Sequence, residues 1–371
     1  MQTPSSNAPN NPSSPVLGKL ILQDGTVLEG QSFGYPHSVA GEVVFNTGMV
    51  GYPESLTDPS YSGQILTLTY PLIGNYGIPP IADPKALQTN FESGRIQIQA
   101  LLVSEYSERY SHWNATRSLG EWLNYHQIPA LSGIDTRALT QKLREKGTML
   151  GKIVFGNDDI DFYDPDMDNM VAHVSIDEPV RYNVGEGKKR VVVVDCGCKH
   201  NIIHHLLDRD FELFRVPWDF SFAELPMDGL FISNGPGNPK MCKATVMQIR
   251  KLLSQKTPIF GICMGHQLMS LAAGANTFKL KYGHRSQNQP VQEVGTERCM
   301  ITSQNHSFAV DAETIPPEWK PWFVNLNDGT NEGVRHESSP FFSVQFHPEA
   351  SPGPVDANYL FDRFASLIHS A

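Results

Sequence analysis

The stretch Arg190–Gly197, RVVVVDCG, places four consecutive valines before an aspartate, a cysteine and a glycine. A continuous β-branched run of this kind is typical of a strand that is buried on both faces of a parallel sheet. The residues that follow, NIIHHLLDRD, have the pattern of a helix, and strand-like and helix-like runs then alternate as far as FFSVQFHPE. This alternation predicts right-handed βαβ crossovers and an open, mostly parallel sheet, with reactive groups beyond the carboxyl ends of its strands.

The first part of the chain has a different pattern. In Lys19–Gly34, KLILQDGTVLEGQSFG, and beyond it, short β-type runs alternate with turn residues, and Asp24-Gly25 is a hairpin signal. The later segment DTRALTQKLREKG predicts a helix that is capped by Asp135 or Thr136 and ends at Gly147. We therefore expect a β-rich α/β domain in this part of the chain.

These two patterns define the organisation of the chain. The polar N-terminus, residues 1–15, is predicted to be a disordered tail. Residues 16–155 form the predicted β-rich domain, and residues 189–371 form the predicted domain with the open parallel sheet. Between them acidic residues cluster and apolar periodicity weakens, so residues 156–188 are interpreted as a linker with one short ordered element.

Charge and composition argue against several classes of protein. The chain has 29 Lys+Arg against 39 Asp+Glu, and its net charge of -10 disfavours nucleic acid or an anionic membrane as the partner. It lacks an apolar run long enough to span a bilayer, and its N-terminus has neither the apolar core of a signal peptide nor the arginines of a transit peptide. Five cysteines argue against a disulfide framework. We expect a soluble, cytoplasmic protein.

Cys263 is the candidate nucleophile. It lies in Pro258–Met269, PIFGICMGHQLM, where Gly261 and Gly265 complete a G-x-C-x-G frame after a strand-like run. Such glycines leave room for a sharp strand-to-helix turn that exposes the central side chain, and a helix N-terminus favours a thiolate. The alternative is an inert buried thiol, because cysteine is among the residues most often buried.

A histidine and a glutamate supply the candidate base. His347 and Glu349 stand two residues apart in QFHPEASPGP, and on an extended chain that spacing places both side chains on one face. Glu349 would then fix the tautomer of His347 while the second ring nitrogen faces a nucleophile. His266 and His306 are rival bases, although neither has an acid at a comparable offset.

The segment FISNGPGNP predicts a third element, a strand that ends in a Gly-Pro-Gly turn. A thiolate that attacks a carbonyl generates an oxyanion, which two convergent backbone N–H groups would stabilise. We nominate the amides of Gly237 and Met264. The alternative is a tight turn without a chemical role.

NGPGNP, PIFGICMGHQL and FHPEASPGP, in this order and spacing, resemble the glutaminase domain of the triad-type glutamine amidotransferases. The upstream segments GEVVFNTGMVGYPESLTDPSYSGQILTLTYPLIGNYG and GIDTRALTQKLREKG are similar to the N-terminal domain of the small subunit of glutamine-dependent carbamoyl-phosphate synthetase. The resemblance runs from about Lys19 to near the C-terminus. It implies a C-terminal glutamine amidotransferase domain preceded by a small-subunit domain that contacts a partner.

The resemblance also implies an activity. Cys263 would attack the side-chain carboxamide of L-glutamine, His347 would pass a proton to the leaving nitrogen so that ammonia departs, and water would then hydrolyse the thioester. On the residues alone, Ser60 is a turn residue after Pro59. Family matches nevertheless place it among eight residues around the bound glutamine: Ser60, Gly235, Gly237, Met264, Gln267, Asn305, Ser307 and Phe308.

Three positions depart from the family's pattern. Ser307 stands where glycine is common, which puts that contact in doubt because the backbone is more constrained there. Met264 replaces a usual leucine, and Asn238 replaces a common aspartate; neither change is expected to affect catalysis. The triad is intact, whereas some relatives lack the cysteine and cannot use glutamine.

The chain lacks both a G-x-x-x-x-G-K-[ST] phosphate loop and a G-x-G-x-x-G motif after a strand. By resemblance, a large partner subunit or a fused synthetase domain binds ATP and Mg²⁺ and receives the ammonia, so no cofactor is expected in this chain. A metal site at Cys196, Cys198 and the nearby histidines is disfavoured because a second cysteine pair is missing.

Three alternatives to this function stay open. The chain could be a free-standing cysteine hydrolase of γ-glutamyl compounds, a non-catalytic scaffold subunit, or the glutaminase subunit of another amidotransferase. The long N-terminal region argues against the first and the third, and the intact triad argues against the second.

Overall fold

The computed structural model describes residues 15–81, 83 and 86–370. The tail predicted over residues 1–15 lies, except for Pro15, outside the described residues. Among the helices that are described, none is both long and apolar enough to cross a bilayer.

Within the described residues, the first domain is a closed seven-stranded β-barrel with three α-helices. The barrel strands follow one another around the wall in the order β1-β2-β8-β6-β4-β3-β9, and β5 and β7 pair outside it. The β-rich prediction is confirmed. The strands are β1 (Leu17–Leu22), β2 (Val27–Ser32), β3 (Val39–Asn46), β4 (Gln64–Leu68), β5 (Leu72–Ile73), β6 (Ala100–Leu102), β7 (Glu105–Tyr106), β8 (Ala130–Ser132) and β9 (Met149–Phe155), and the helices are α1 (Tyr52–Thr57), α2 (Leu119–Tyr125) and α3 (Thr136–Lys146).

Local signals account for the turns of this domain. Strands β1 and β2 pair antiparallel, and Gly25 between them has a φ of +85° that favours glycine. Of the two capping residues predicted for α3, Asp135 is the N-cap, and its side chain accepts a hydrogen bond of 2.9 Å from the Ala138 N–H. Helix α3 ends at Gly147, as predicted.

The second domain is a ten-stranded sheet with helices on both faces. The strand order is β10-β12-β11-β13-β14-β19-β18-β17-β15-β16, and the five strands from β12 to β19 are parallel. The α/β prediction is confirmed by this central part, which antiparallel strands extend on both sides. The strands are β10 (Val180–Tyr182), β11 (Arg190–Asp195), β12 (Glu212–Pro217), β13 (Gly229–Ile232), β14 (Ile259–Ile262), β15 (Asn276–Glu293), β16 (Cys299–Asp311), β17 (Trp319–Asn325), β18 (Asn331–His336) and β19 (Phe341–Val344), and the helices are α4 (Met170–Val174), α5 (His200–Leu207), α6 (Lys243–Leu252), α7 (Met264–Ala273) and α8 (Tyr359–Ser370).

The valine run of β11 is the centre of this sheet. All four valines have no exposed surface. Val191 and Val193 pack into the core on one face of the sheet, and Val192 and Val194 pack into the core on the other. Burying each side chain contributes about 1.5–3 kcal/mol before the entropy of ordering is counted, which is why both faces of the strand are apolar.

The linker prediction for residues 156–188 is wrong in one respect. The stretch contains three ordered elements rather than one: a 3-10 helix at Pro165–Met167, helix α4 and strand β10. Strand β10 pairs antiparallel with β12 at the edge of the ten-stranded sheet. A three-residue strand is too short to show an alternating pattern, so it depends on its partner strand rather than on its own sequence.

Candidate active site

Cys263 occupies the predicted strand-to-helix turn. Strand β14 ends one residue before it and helix α7 begins one residue after it. Its φ of 53° and ψ of -102° are rare for a residue with a side chain, and such a conformation costs on the order of 1–3 kcal/mol. The turn leaves no room for a side chain at Gly265. A Cβ there would lie 2.1 Å from the carbonyl oxygen of Ile232, which is closer than real atoms approach. The fold therefore holds Cys263 in a strained position at the carboxyl end of a strand.

A small cavity of about 20 Å³ opens onto this cysteine. The Cys263 side chain is 1% exposed and borders a hydrophobic core, and it is also one of the residues that line the cavity. The thiol lies 3.7 Å from the carbonyl oxygen of Asn305. All eight residues that the resemblance placed around glutamine line the same cavity: Ser60, Gly235, Gly237, Met264, Gln267, Asn305, Ser307 and Phe308.

His347 and Glu349 form a buried pair behind the cysteine. Nδ1 of His347 lies 2.6 Å from Oε1 of Glu349, and both side chains are almost fully buried. The extended geometry predicted for this pair is wrong. Strand β19 ends at Val344, and the Ala350 N–H donates to the carbonyl oxygen of His347, so a turn brings the carboxylate to the ring.

The electrostatics of the pair favour its charged form. Burial lowers the pKa of His347, but the Glu349 carboxylate and the Cys263 side chain outweigh burial and raise it to about 10. Burial raises the pKa of Glu349, but Lys199 and His347 outweigh it and lower that pKa to about 2. Nε2 of His347 is buried and has no hydrogen-bond partner among the described residues. This free ring nitrogen is the one available to a nucleophile.

Lys199 completes the group, and sequence reasoning missed it. Its Nζ lies 3.0 Å from Oε1 of Glu349 and donates a hydrogen bond of 2.7 Å to the carbonyl oxygen of Ala350. The side chain is 4% exposed, which is exceptional for lysine. In the sequence Lys199 follows two cysteines in CGCKH and has no feature that distinguishes it from a surface lysine.

Each of the two rival bases is engaged by another group through at least one ring nitrogen. Nδ1 of His266 lies 2.9 Å from the Ser343 hydroxyl, and burial lowers the pKa of His266 to about 3. Both ring nitrogens of His306 have protein partners, the carbonyl oxygen of Phe308 at 2.9 Å and the side chain of Gln304 at 3.1 Å. His306 lines the cavity, yet neither of its nitrogens is free to accept a proton.

The nominated oxyanion donors lie on the cavity wall. Met264 is the first residue of α7, so its N–H is among those that a helix leaves without an intrahelical partner. Gly237 has a φ of +79° in the turn after β13, a conformation that favours glycine. Both residues line the cavity with Cys263, and their role as oxyanion donors stays a prediction.

The first domain supplies part of the cavity wall. The Ser60 hydroxyl accepts a hydrogen bond of 3.0 Å from the side-chain amide of Asn234. Oδ2 of Asp58 accepts one of 3.0 Å from the side-chain amide of Asn305. The residues in these two bonds are all more than nine-tenths buried. The sequence places Ser60 in a turn, and only tertiary packing shows that this turn meets the second domain.

One group of described side chains has the composition of a metal site. His284, His306 and Glu332 bring ligand atoms within 4.8 Å of one another. The ring nitrogens of His284 are engaged by Gln304 at 3.0 Å and Asp328 at 2.9 Å, and those of His306 also have partners. The group is therefore accounted for as a buried hydrogen-bonded network.

The charges of the His347–Glu349 pair predict that the stability of the fold depends on pH. The pKa of His347 lies above its ordinary 6.5 and that of Glu349 below its ordinary 4.5, so the pair is fully stabilising between pH 4.5 and pH 6.5. The His347 contribution is lost as pH rises from 6.5 toward 10, and that of Glu349 as pH falls from 4.5 toward 2. We expect urea denaturation to give the largest difference in unfolding free energy between wild type and His347→Gln in the intermediate window. A difference that grows from pH 6.5 to pH 9 would contradict this assignment of charge.

Comparison with known proteins identifies both domains. Residues 20–153 match the family described as carbamoyl-phosphate synthase small chain, CPSase domain, and residues 192–367 match glutamine amidotransferase class-I. The chain is 49% identical over 356 residues to the carbamoyl phosphate synthase arginine-specific small chain of Neosartorya fischeri, a match that covers 94% of this chain and 79% of that protein. The chain belongs to the carbamoyl-phosphate synthase small-chain family.

Other members of this family are much longer proteins. The human protein named carbamoyl-phosphate synthase (ammonia), mitochondrial, is 51% identical over 94% of this chain, which spans 23% of it. The multifunctional protein CAD of Squalus acanthias is also 51% identical over 94% of this chain, which spans 16% of it. The chain thus spans about a quarter or less of the length of these two relatives.

Proposed function

We propose that this chain is the glutamine-hydrolysing small subunit, or the corresponding part, of a carbamoyl-phosphate synthase. It releases ammonia from L-glutamine and delivers it to a large ATP-dependent synthetase, either a separate subunit or a fused domain. The observation that carries the proposal is the strained Cys263, which lines one cavity together with all eight residues that the resemblance placed around glutamine.

The geometry supports a two-step reaction. The Cys263 thiolate attacks the carboxamide carbon of glutamine, and the backbone N–H groups of Gly237 and Met264 stabilise the resulting oxyanion. The protonated ring of His347 then gives its proton to the nitrogen, the C–N bond breaks, and ammonia leaves. Water attacks the thioester, His347 takes a proton from it, and the C–S bond breaks to release glutamate. Throughout, Glu349 fixes the ring and stabilises its positive charge.

The partner supplies the remaining chemistry. We expect ATP and Mg²⁺ to act on the synthetase, where bicarbonate is activated and ammonia is consumed. Ammonia must travel by an enclosed path, because in neutral water it becomes mostly ammonium and loses its nucleophilic lone pair. One relative is named an arginine-specific small chain, and we propose that the product serves arginine or pyrimidine synthesis. Five free cysteines fit the reducing cytoplasm.

Reconstitution tests the function. The chain is mixed with the large synthetase subunit of a related two-subunit enzyme, and carbamoyl phosphate is measured with glutamine, ammonia or neither as the nitrogen source. We expect synthesis from glutamine only when both proteins are present, and glutaminase activity that rises when ATP and bicarbonate are added. High glutaminase activity that the synthetase does not change would instead support a free-standing γ-glutamyl hydrolase. Failure to form any γ-glutamyl thioester would support a non-catalytic subunit.

A further inference from the structure

Asp58 is a buried carboxylate that is bonded to a residue of the cavity wall but does not itself line the cavity. It belongs to the first domain, where it follows helix α1 and precedes the 3-10 helix Pro59–Tyr61, and it is 6% exposed. Its Oδ1 accepts a hydrogen bond of 2.9 Å from the Ser60 N–H, and its Oδ2 accepts one of 3.0 Å from the side-chain amide of Asn305. The first bond stays within the turn, and the second crosses to the other domain.

The bond within the turn does not explain why this residue is an aspartate. A single side-chain oxygen is enough to cap a 3-10 helix, and the chain uses an amide for this purpose at Asn238. There Oδ1 accepts a hydrogen bond of 3.0 Å from the Lys240 N–H, at the start of the 3-10 helix Pro239–Met241. A carboxylate costs more free energy to bury than an amide, so the use of a carboxylate here indicates a role for its second oxygen, which is the one bound to Asn305.

Asn305 carries the contact from Asp58 to the nucleophile. It lies on β16 and lines the cavity, and its carbonyl oxygen accepts a hydrogen bond of 3.7 Å from the Cys263 thiol. Its side-chain amide is the group that Asp58 holds. One residue thus joins the carboxylate of the first domain to the sulfur of the second, and a shift of its backbone moves the acceptor of the thiol.

Asp58 also contributes charge near the histidine side of the site. Burial lowers the pKa of Lys199, but three carboxylates outweigh burial and raise it: Glu349, Glu92 and Asp58. A variant of Asp58 can therefore act through its charge or through its hydrogen bond to Asn305, and the experiment has to separate the two.

We propose that Asp58 is a positioning residue for the hydrolysis of glutamine: through its hydrogen bond to Asn305 it holds the carbonyl that fixes the Cys263 thiol. The inference rests on the proposed function and deepens it, because it gives the first domain a part in aligning the nucleophile. A misplacement of reacting groups by about 1 Å can lower a rate about 100-fold, so the loss of this one bond is large enough to measure.

Asp58→Asn removes the second acceptor and keeps the cap of the turn. The new carbonyl oxygen accepts from the Ser60 N–H, so the new NH₂ group faces the NH₂ group of Asn305 and the bond is lost. We expect kcat for ammonia release from glutamine to fall about 10- to 100-fold in the reconstituted complex, while KM for glutamine changes by less than about 3-fold. A loss confined to KM would overturn the proposal, because Asp58 would then shape the binding of glutamine rather than the position of the thiol.

Two variants of Asn305 separate the hydrogen bond from the charge. Asn305→Ala removes the bond and keeps the charge of Asp58, so it should lower kcat about as much as Asp58→Asn does. The exchange of both partners, Asp58→Asn with Asn305→Asp, restores the bond with donor and acceptor reversed. We expect the exchange to recover at least about 10-fold of the lost kcat. A folded exchange variant that recovers nothing would contradict the role of this bond.

Alkylation of Cys263 by iodoacetamide tests the position of the thiol without turnover, with peptide mass spectrometry to locate the label. Once the carbonyl of Asn305 is released, Cys263 should be labelled about 10-fold faster in Asp58→Asn, and at nearly the wild-type rate in the exchange variant. The other buried cysteines report unfolding and should stay unlabelled: Cys196, Cys198 and Cys242.

Asp311→Asn is the matched control. Asp311 also caps a 3-10 helix with one oxygen, which accepts a hydrogen bond of 3.2 Å from the Glu313 N–H, and it does not line the cavity. Both kcat and the alkylation rate of Cys263 should stay within about 2-fold of wild type in this variant.

The outcomes distinguish this proposal from the proposed function. A wild-type alkylation rate in Asp58→Asn would overturn the positioning role whether or not the chain hydrolyses glutamine, and Asn305→Ala provides the same test if Asp58→Asn does not fold. The expected alkylation rates in a chain that releases no ammonia would support the positioning role while the hydrolytic function fails.

Discussion

Carbamoyl phosphate synthesis from glutamine is expected to fall by at least about 10⁴-fold when Cys263 is replaced by serine, while synthesis from added ammonia continues. A serine hydroxyl is a much weaker acid than a thiol, so it supplies almost no anion to attack the carboxamide. Under the proposed function the ammonia-dependent reaction does not require this step, because its chemistry would take place on the synthetase. Both activities are measured in the reconstituted complex by product formation from each nitrogen source.

Cys299→Ser is the matched control for this substitution. Cys299 is a free and exposed cysteine at the start of β16, and it does not line the cavity. Its replacement should leave both nitrogen sources in use. Equal loss of the glutamine and ammonia activities in Cys263→Ser would refute the division of labour between the two proteins, since it would mean that the substitution damages the partner or the fold.

The second large effect is expected at Lys199. Lys199→Met should lower the free energy of unfolding at pH 7 by about 3–5 kcal/mol, because it leaves the Glu349 carboxylate buried without its lysine partner. Lys199 also opposes the effect of burial on Glu92, whose pKa burial raises to about 7. Both carboxyl groups should become harder to ionise in the variant. Urea denaturation monitored by tryptophan fluorescence measures the change.

The pH dependence of this effect has a defined sign. The pKa of Glu349 is held near 2, below its ordinary 4.5, so its stabilising contribution is present above pH 4.5 and is lost as pH falls toward 2. The difference in unfolding free energy between wild type and Lys199→Met should therefore be smaller at pH 4 than at pH 7.

Lys142→Met provides the comparison, because Lys142 pairs with Asp24 at 2.6 Å but both groups are about one-third exposed. That loss should stay below about 1 kcal/mol. A loss of this small size at Lys199 as well would show that Glu349 does not depend on the lysine.

Local sequence signals account for the parts of the structure that depend on neighbours in the chain. The valines of β11, the cap at Asp135 and the turn at Cys263 all follow from residue types at short spacing. The closure of the barrel does not, because the pairing of β3 with β9 joins residues about a hundred positions apart. Strand β15 could not be predicted from the sequence either. Its pairing with β16 shifts register between Lys279 and His284, and this shift breaks the alternation of apolar residues.

The residues of the candidate site also divide into those that short sequence patterns reveal and those that only the folded structure reveals. His347 and Glu349 were found because they are close in sequence, although the turn that joins them was not foreseen. Lys199 was missed because what distinguishes it is burial beside a carboxylate, a property of the packed structure. Sequence thus predicts the reactive atoms better than the groups that surround them.

The position of Ser60 in the first domain has a consequence for how the gene segments that encode the two domains can be rearranged. One wall of the cavity is built by the barrel, and the hydrogen bonds from Asn234 to Ser60 and from Asn305 to Asp58 fasten that wall to the nucleophile's domain. A recombination event that moved the amidotransferase half alone would transfer the cysteine with an incomplete chamber around it. We therefore expect the two halves to be inherited together, and the match to the longer relatives covers 94% of this chain, both halves included.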